Sequence, residues 1–256
     1  MPSNVIGIRM APKVNFLVIG AQKAGTTALD HYLRQHPDIG MADGKEVHYF
    51  DDEDVFAHEP VDHSAYEAHF SATERLHGET TPIYLWWKPA CERIRRYNPD
   101  MKLIAVLRYP VDRAFSQWNM EFNRGKETRD FRSAIEAEQE QRKVDPDRQH
   151  RVFSYLSRGF YSEQIERFQR TFDPRQLLFI KYEDLRTDPE RQLARIFDHI
   201  GVSRVPYPFA KIELNSGSYS ASLNKATKRE LQALFTGDIQ KVERLLDWDV
   251  KKWKTE

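Results

Sequence analysis

The sequence has a single cysteine, no long apolar run and no net charge, and each absence narrows the class of protein. With Cys91 alone, the chain cannot form an internal disulfide, and nothing suggests a cysteine metal cluster. No apolar run is long enough to span a bilayer, and no apolar leader segment follows Met1. Lys and Arg together number 39, as do Asp and Glu, so the overall charge attracts neither nucleic acid nor an anionic membrane.

From these absences we expect no nucleic-acid partner, no stable membrane insertion and a location in the reducing cytoplasm. A domain cut from a larger secreted protein would have much the same composition. A local basic cleft is compatible with the zero net charge. The oligomeric state does not follow from the composition.

The 256 residues, 40% hydrophobic and 30% charged, are enough for one sizeable core, and no repeat or linker divides them. We therefore expect a single domain over 1–256. Apolar runs at 14–20, 101–107 and 177–180 are typical of buried strands, and helical patterns separate them. This alternation predicts an α/β fold of three layers, with a central parallel sheet flanked by helices.

Local patterns add finer predictions. The glycine and proline of 78–82 indicate a turn, and 153–172 has the apolar spacing of one long amphipathic helix. Two closing helices are expected over 223–235 and 238–247. The charge-dense segment 124–150 indicates a solvated helix followed by a loop.

The stretch 14–27 has the pattern of a phosphate-binding loop. An apolar run ends at Gly20, a tight loop follows to Gly25, and a helical pattern begins at Thr26. In that order of elements, backbone N–H groups at a helix N-terminus can bind an anion. The glycines have Walker A spacing, but Thr26 stands where that motif has its lysine, and Lys23 lies inside the loop instead. The alternative is an ordinary strand-to-helix turn with a solvated lysine.

A second anion site is expected at the end of another strand. Arg108 follows the run 101–107, and Ser116 lies eight residues later on the next predicted helix. Ligands of parallel α/β sheets bind beyond the carboxyl ends of the strands, so both should face the cleft that holds Lys23. Two such sites suit a nucleotide with phosphates at two positions. The alternative is that Arg108 only pairs with a carboxylate such as Asp112.

These segments together resemble the sulfotransferases that use 3′-phosphoadenosine 5′-phosphosulfate (PAPS). Residues 17–29 resemble their 5′-phosphosulfate loop, and 108–116 resemble their 3′-phosphate-binding segment. Residues 45–51 are similar to the Glu-x-His-aromatic-Phe segment of the Golgi heparan-sulfate branch. Further landmarks run from 159–164 to Trp253, so the resemblance covers nearly the whole chain. It implies a fold with a P-loop-like phosphosulfate loop.

The chain departs from the heparan-sulfate branch in three respects. Thr80 stands where that branch usually has a lysine, the branch's late disulfide cannot form with Cys91 alone, and no membrane anchor is evident. The chain therefore resembles a soluble, bacterial-type relative. Polysaccharide specificity is not expected to carry over.

The resemblance implies direct, metal-free transfer of the sulfuryl group from PAPS to a hydroxyl or amine of a small-molecule or carbohydrate acceptor. The product nucleotide would be adenosine 3′,5′-bisphosphate (PAP). Lys23 would offset charge on the leaving phosphate, and Glu46 matches the general base of the heparan-sulfate branch. His48 is the alternative base, because residues two apart on a strand point to the same face, and Glu79 is a weaker candidate. The donor-binding residues implied are Gln22, Lys23, Ala24, Gly25, Thr26, Thr27, Arg108, Ser116, Ser216, Gly217 and Ser218.

Two other functions fit parts of the same pattern. A P-loop kinase is disfavoured because the Walker lysine is missing and no strand ends in an evident Walker B aspartate. A nucleotide-binding module that has lost its acceptor chemistry would bind the same nucleotide without turnover. The aromatic residues Tyr84, Trp86, Trp87 and Trp118 belong either to an acceptor pocket or to the core.

Overall fold

The computed structural model describes residues 13–71, 75–206 and 222–255. The strands in these ranges are β1 (Phe16–Gly20), β2 (Ile39–Met41), β3 (Leu76–Thr80), β4 (Lys102–Leu107) and β5 (Leu177–Lys181). The helices are α1 (Thr26–Arg34), α2 (Ser64–Glu67), α3 (Ala90–Tyr97), α4 (Pro110–Asn123), α5 (Phe131–Val144), α6 (Tyr161–Thr171), α7 (Tyr182–Thr187), α8 (Pro189–Ile200), α9 (Lys225–Leu246) and α10 (Lys251–Thr255). The strands form one parallel sheet in the order β2-β3-β1-β4-β5, flanked by helices, which confirms the predicted α/β fold.

β1 lies in the middle of the sheet and is buried along its whole length. Its apolar residues, Phe16 to Ile19, are at most 1% exposed, as expected for a parallel strand covered on both faces. The strand order turns back at β1, since β2 and β3 lie on one side of it and β4 and β5 on the other. Clefts in such sheets form at this reversal, beyond the carboxyl ends of the strands. The site is therefore expected where β1, β3 and β4 end.

The main correction to the predicted fold concerns 78–82, where the sequence indicates a turn and the structure has, over 78–80, the end of the inner strand β3. Glycine and glutamate within β3 are poor strand formers. The strand forms because both of its neighbours supply pairing partners, Phe16 of β1 and Met41 of β2 lying opposite Gly78. A glycine is required there, since a β-carbon at Gly78 would lie 2.2 Å from the Phe16 ring.

The single helix predicted for 153–172 is also wrong. A short 3-10 turn at Ser157–Gly159 comes first, and α6 begins only at Tyr161. The backbone N–H groups of Tyr161 and Ser162 donate to the Asp238 carboxylate at 2.8 and 3.1 Å. A carboxylate from the distant helix α9 thus caps the N-terminus of α6 and fixes where it begins.

The two closing helices predicted for 223–235 and 238–247 are one continuous helix, α9. Its buried positions recur at helical spacing through Leu231, Phe235, Ile239 and Val242, so packing against the core continues past Gly237. A β-carbon built at Gly237 would meet nothing within 4 Å. This glycine therefore neither turns the chain nor allows a close contact.

Replacing Gly78 with alanine should destabilise the fold, because the new β-carbon would displace a fully buried phenyl ring. We expect the free energy of unfolding in urea to fall by about 2 kcal/mol or more, as for other overpacked cores. Gly44→Ala is the matched control, since nothing lies within 4 Å of a β-carbon built at Gly44. Equal stability of the two variants would contradict this account of β3.

Candidate active site

A cleft of about 690 Å³ lies beyond the carboxyl ends of β1, β3 and β4. Many of the predicted site residues line it: Gln22, Lys23, Gly25, Thr26, Thr27, Glu46, Arg108 and Ser116. The side chain of Ala24 is instead fully buried, so only its backbone can serve a ligand. His48 does not line the cleft itself but contacts Glu46, which does. Ser216, Gly217 and Ser218 lie outside the described residues.

The loop between β1 and α1 takes its shape from two residues with positive φ, Lys23 at 70° and Gly25 at 85°. The N–H of Ala21 donates to the Val106 carbonyl at 2.7 Å, which fastens the loop to β4. Glycine is favoured at position 25 for two reasons. Its positive φ is unfavourable for other residues, and a β-carbon there would lie 3.0 Å from the Tyr182 ring. The loop thereby brings the N-terminus of α1 and the Lys23 side chain to the cleft.

Lys23, Arg108 and Arg124 give the cleft a strongly positive wall. Arg108 donates from Nη1 to the Lys23 carbonyl oxygen at 3.2 Å, and its guanidinium lies 5.0 Å from the centre of the Tyr182 ring. No ion pair between Arg108 and Asp112 is found in the described ranges, contrary to that alternative. Burial, followed by the charges of Arg124 and Arg108, lowers the pKa of Lys23. Cations that repel one another in this way are stabilised when an anion binds between them.

Arg124 is one of three polar cleft residues on α4 or at its end that the sequence analysis missed, the others being Asn119 and Asn123. They follow Ser116 after three, seven and eight residues, a spacing that returns to the same face of a helix. Counting the helical period onward from Ser116 would therefore have predicted these three residues. Arg124 lies 3.8 Å from the Glu121 carboxylate, which partly balances the positive wall.

Glu46 and His48 lie in an irregular loop, so the strand geometry expected for them is wrong. Their φ angles are 63° and 60°, in the left-handed region, and their side chains do not alternate as in a strand. The N–H of Glu46 donates to the Thr80 carbonyl at 2.9 Å, which places the loop directly beside the end of β3. The side chains still meet, with His48 Nε2 3.6 Å from Glu46 Oε2.

Positive charge surrounds the Glu46 carboxylate. Its Oε1 accepts a hydrogen bond from Lys45 Nζ, and its Oε2 faces His48. Burial alone would raise the pKa of Glu46, but His48 and Lys45 outweigh it and lower the pKa to about 2. The hydrogen bond to Asp51, with His48 Nδ1 at 3.0 Å, and the contact with Glu46 raise the pKa of His48 to about 9. At neutral pH, His48 is therefore an imidazolium and Glu46 a carboxylate.

Glu79 lies beneath the cleft rather than in it. Hydroxyl groups donate to its carboxylate from Tyr66 at 3.1 Å, Thr81 at 3.0 Å and Tyr84 at 2.9 Å. Burial raises the pKa of Glu79 to about 7, against the opposing effect of these hydrogen bonds. The Tyr84 oxygen in turn accepts the N–H groups of Tyr49 and Phe50, at 2.9 and 3.3 Å. Glu79 thus supports the loop that carries Glu46.

Of the four aromatic residues predicted for an acceptor pocket or the core, Tyr84, Trp86 and Trp118 are buried in the core. Trp87 is partly exposed, and its Nε1 donates to the Glu53 carboxylate at 2.8 Å. The guanidinium of Arg151 lies 5.0 Å from the centre of a Trp87 ring and also pairs with Asp51, which holds His48. Trp87 is therefore the one of the four that is partly exposed, and none of the four lines the cleft of the described residues.

Comparisons with known proteins identify the family of the chain. A family model described as "Sulfotransferase domain" matches residues 13–256. The chain belongs to the sulfotransferase family. Membership favours the predicted sulfotransferase over the P-loop kinase, whereas the boundaries of the single domain over 1–256 stay a prediction.

Individual relatives show how far the likeness extends. Heparan sulfate glucosamine 3-O-sulfotransferase 3B1 from Homo sapiens is 31% identical over 192 residues, which are 74% of this chain and 46% of that protein. The chain thus spans about half the length of the curated relatives it matches. The crystal structure of a sulfotransferase from Alicyclobacillus acidocaldarius has a TM-score of 0.81 and 29% identity, covering 95% of this chain and 99% of that one. Mouse sulfotransferase SULT7A1 complexed with PAP shares the fold, with a TM-score of 0.56 and 15% identity over 93% of this chain and 90% of that one.

The contacts of His48 predict a stability that declines at alkaline pH. A histidine whose pKa rises from 6.5 to about 9 on folding stabilises the protein fully below pH 6.5, and this contribution is lost as the pH rises through 9. The difference in Tm between the wild type and His48→Gln should therefore shrink between about pH 7 and pH 10. His31→Gln, at an exposed position of α1, is the control for the loss of a histidine side chain outside the site. A His48 difference that stays constant over this range would count against the ion-paired imidazolium.

Proposed function

We propose that this chain transfers a sulfuryl group from PAPS to a hydroxyl or amine of a small-molecule or carbohydrate acceptor and releases PAP. The observation that carries the proposal is that Lys23, Glu46, Arg108 and Ser116 line one cleft. One bound ligand could therefore contact a cation for the leaving phosphate, a carboxylate for the acceptor's proton and a second phosphate site. The curated relatives named for heparan sulfate glucosamine support a carbohydrate among the candidate acceptors.

The donor end of the cleft suits a nucleotide with phosphates at two positions. Lys23 and the N-terminal N–H groups of α1 would hold the 5′ end, and Gly25 allows the backbone to approach it closely. Arg108, just after β4, and Ser116, on α4, would hold the 3′-phosphate. The positive charge of Lys23 would then offset the negative charge left on the 5′-phosphate as its bond to sulfur breaks.

At the acceptor end, Glu46 would take the proton. The attacking oxygen or nitrogen bonds to sulfur, the bond from sulfur to the leaving phosphate oxygen breaks, and the acceptor's proton passes to Glu46. His48 is unsuited to this role, because Asp51 and Glu46 keep it protonated at neutral pH. A pKa of about 2 makes Glu46 a weak base. It is sufficient late in the step, since the attacking atom becomes strongly acidic as it bonds to sulfur.

Two of the expected properties stay predictions. Within the described ranges no group of three or more His, Cys, Asp or Glu side chains is arranged to hold a metal ion. The same residues include no helix that is long and apolar enough to cross a bilayer. The two predictions are metal-free transfer and a cytoplasmic location.

Arg108→Ala tests the proposed 3′-phosphate site. The variant should bind PAP more weakly by about 2 kcal/mol or more, because a charge-assisted contact is lost. Binding of adenosine 5′-phosphate, which lacks the 3′ group, should change far less, and isothermal titration of both nucleotides makes the comparison. Equal losses for the two nucleotides would remove the basis for this assignment.

Glu46→Gln tests the proposed base, because it keeps the shape of the side chain and removes its basicity. With labelled PAPS and a panel of acceptors, kcat should fall by about 100-fold or more while PAP binding is nearly unchanged. Glu53→Gln is the matched control, a nearby exposed carboxylate that pairs with Arg93 and does not line the cleft. Full activity of Glu46→Gln would rule out this base, and a wild type that binds PAP but transfers nothing would favour the binding module.

A further inference from the structure

Arg158 is a buried cation directly behind the phosphate-binding loop. It lies in the 3-10 turn before α6 and is only 2% exposed. Its Nη1 donates to Gln22 Oε1, its Nη2 donates to the Arg151 carbonyl at 2.7 Å, and its guanidinium lies 4.7 Å from the centre of a Trp86 ring. In the ranges the structure covers, its Nε has no hydrogen-bond partner.

No carboxylate pairs with this guanidinium among the described residues. Glu121 and Glu138 act on it only from a distance, and the Glu138 oxygens already accept the N–H groups of Leu156 and Ser157 at 2.7 and 2.9 Å. Burial lowers the pKa of Arg158 to about 9, so it is still charged at neutral pH. A buried charge without a counter-charge costs stability, and an apolar side chain of similar length would avoid that cost.

The contact with Arg158 fixes the orientation of the Gln22 amide. A guanidinium only donates hydrogen bonds, so the oxygen of the Gln22 amide must face Arg158 and the amide nitrogen is left to donate elsewhere. Gln22 lines the cleft beside Lys23. A fixed amide donor at this loop, with a positive charge behind it, suits an anion at the 5′ end of the donor.

We propose that Arg158 is a positioning residue that turns the Gln22 amide nitrogen toward the 5′-phosphate or phosphosulfate group, whose negative charge in turn stabilises the buried guanidinium. The inference rests on the proposed function, because it requires a nucleotide with an anionic 5′ end. It assigns to Arg158 no contact with the reacting atoms. The positive charge of Arg158 would be stabilised by the bound nucleotide and would destabilise the free protein.

The test compares two nucleotides in three variants. In Arg158→Met, PAP should bind about 10-fold more weakly, whereas adenosine 3′-phosphate, which has no 5′ group, should bind as in the wild type. The Tm of the ligand-free variant should equal or exceed that of the wild type. Arg158→Lys should restore part of the PAP affinity. Arg167→Met is the matched control, since Arg167 donates to the carbonyls of Leu85 and Trp86 without reaching the loop.

Each outcome decides between alternatives. Equal losses for both nucleotides in Arg158→Met, or no loss for either, would overturn the positioning role. Should that variant fail to fold, Gln22→Leu serves in its place. It should show the same selective loss of PAP affinity, and unchanged selectivity would overturn the inference. A wild type that binds neither nucleotide would instead refute the proposed donor, and the inference with it.

Discussion

The parallel pairing of β1 with both β3 and β4 is the constraint on which the rest of the site depends. β1 is followed by the loop with Lys23 and β4 by Arg108, and the last residue of β3, Thr80, accepts the N–H of Glu46. Parallel strands end at the same edge of a sheet, so the pairing brings these segments together from distant parts of the chain. The close packing of Gly78 against Phe16 is therefore a condition of the chemistry as well as of the fold.

The cleft brings cations and a carboxylate together. Lys23, Arg108 and Arg124 line it, and so does Glu46, whose carboxylate contacts Lys45 and His48. A carboxylate placed among cations stays ionised over the whole physiological range of pH. The same cations that would bind an anionic donor thus also keep the proposed base in its deprotonated form, at the expense of its basicity.

Buried polar groups around the cleft support this arrangement. Glu79 and Tyr84 form a hydrogen-bonded network beneath the loop that carries Glu46, and Asp51 links His48 to Arg151. Such networks fix side-chain positions because unsatisfied polar groups are costly in a low dielectric. The side chains of these networks are held by partners within the protein itself. Arg158 differs, since the counter-charge we propose for it comes with the ligand.

Much of the site follows from local patterns in the sequence. The phosphate-binding loop is recognisable because a buried strand, two spaced glycines and a helix start leave the backbone few alternatives. The positions of Arg108 and Ser116 follow from a strand end and a helical period, and the same period extended along α4 leads to Arg124. The α/β fold follows from apolar strands that alternate with amphipathic helices, as the parallel sheet confirms.

The rest depended on partners far away in sequence. The sequence by itself determined the loop and the fold class, because neighbouring residues set strand, turn and helix preferences. Only the tertiary structure decided that 76–80 is a central strand, since its ladder partners come from β1 and β2. It also decided where Glu46 lies, because the Glu46 N–H donates to the carbonyl of Thr80, 34 residues away, and this bond places the loop beside the end of β3. Arg158 and Gln22, 136 residues apart, meet only in the folded chain, so no local pattern could pair them.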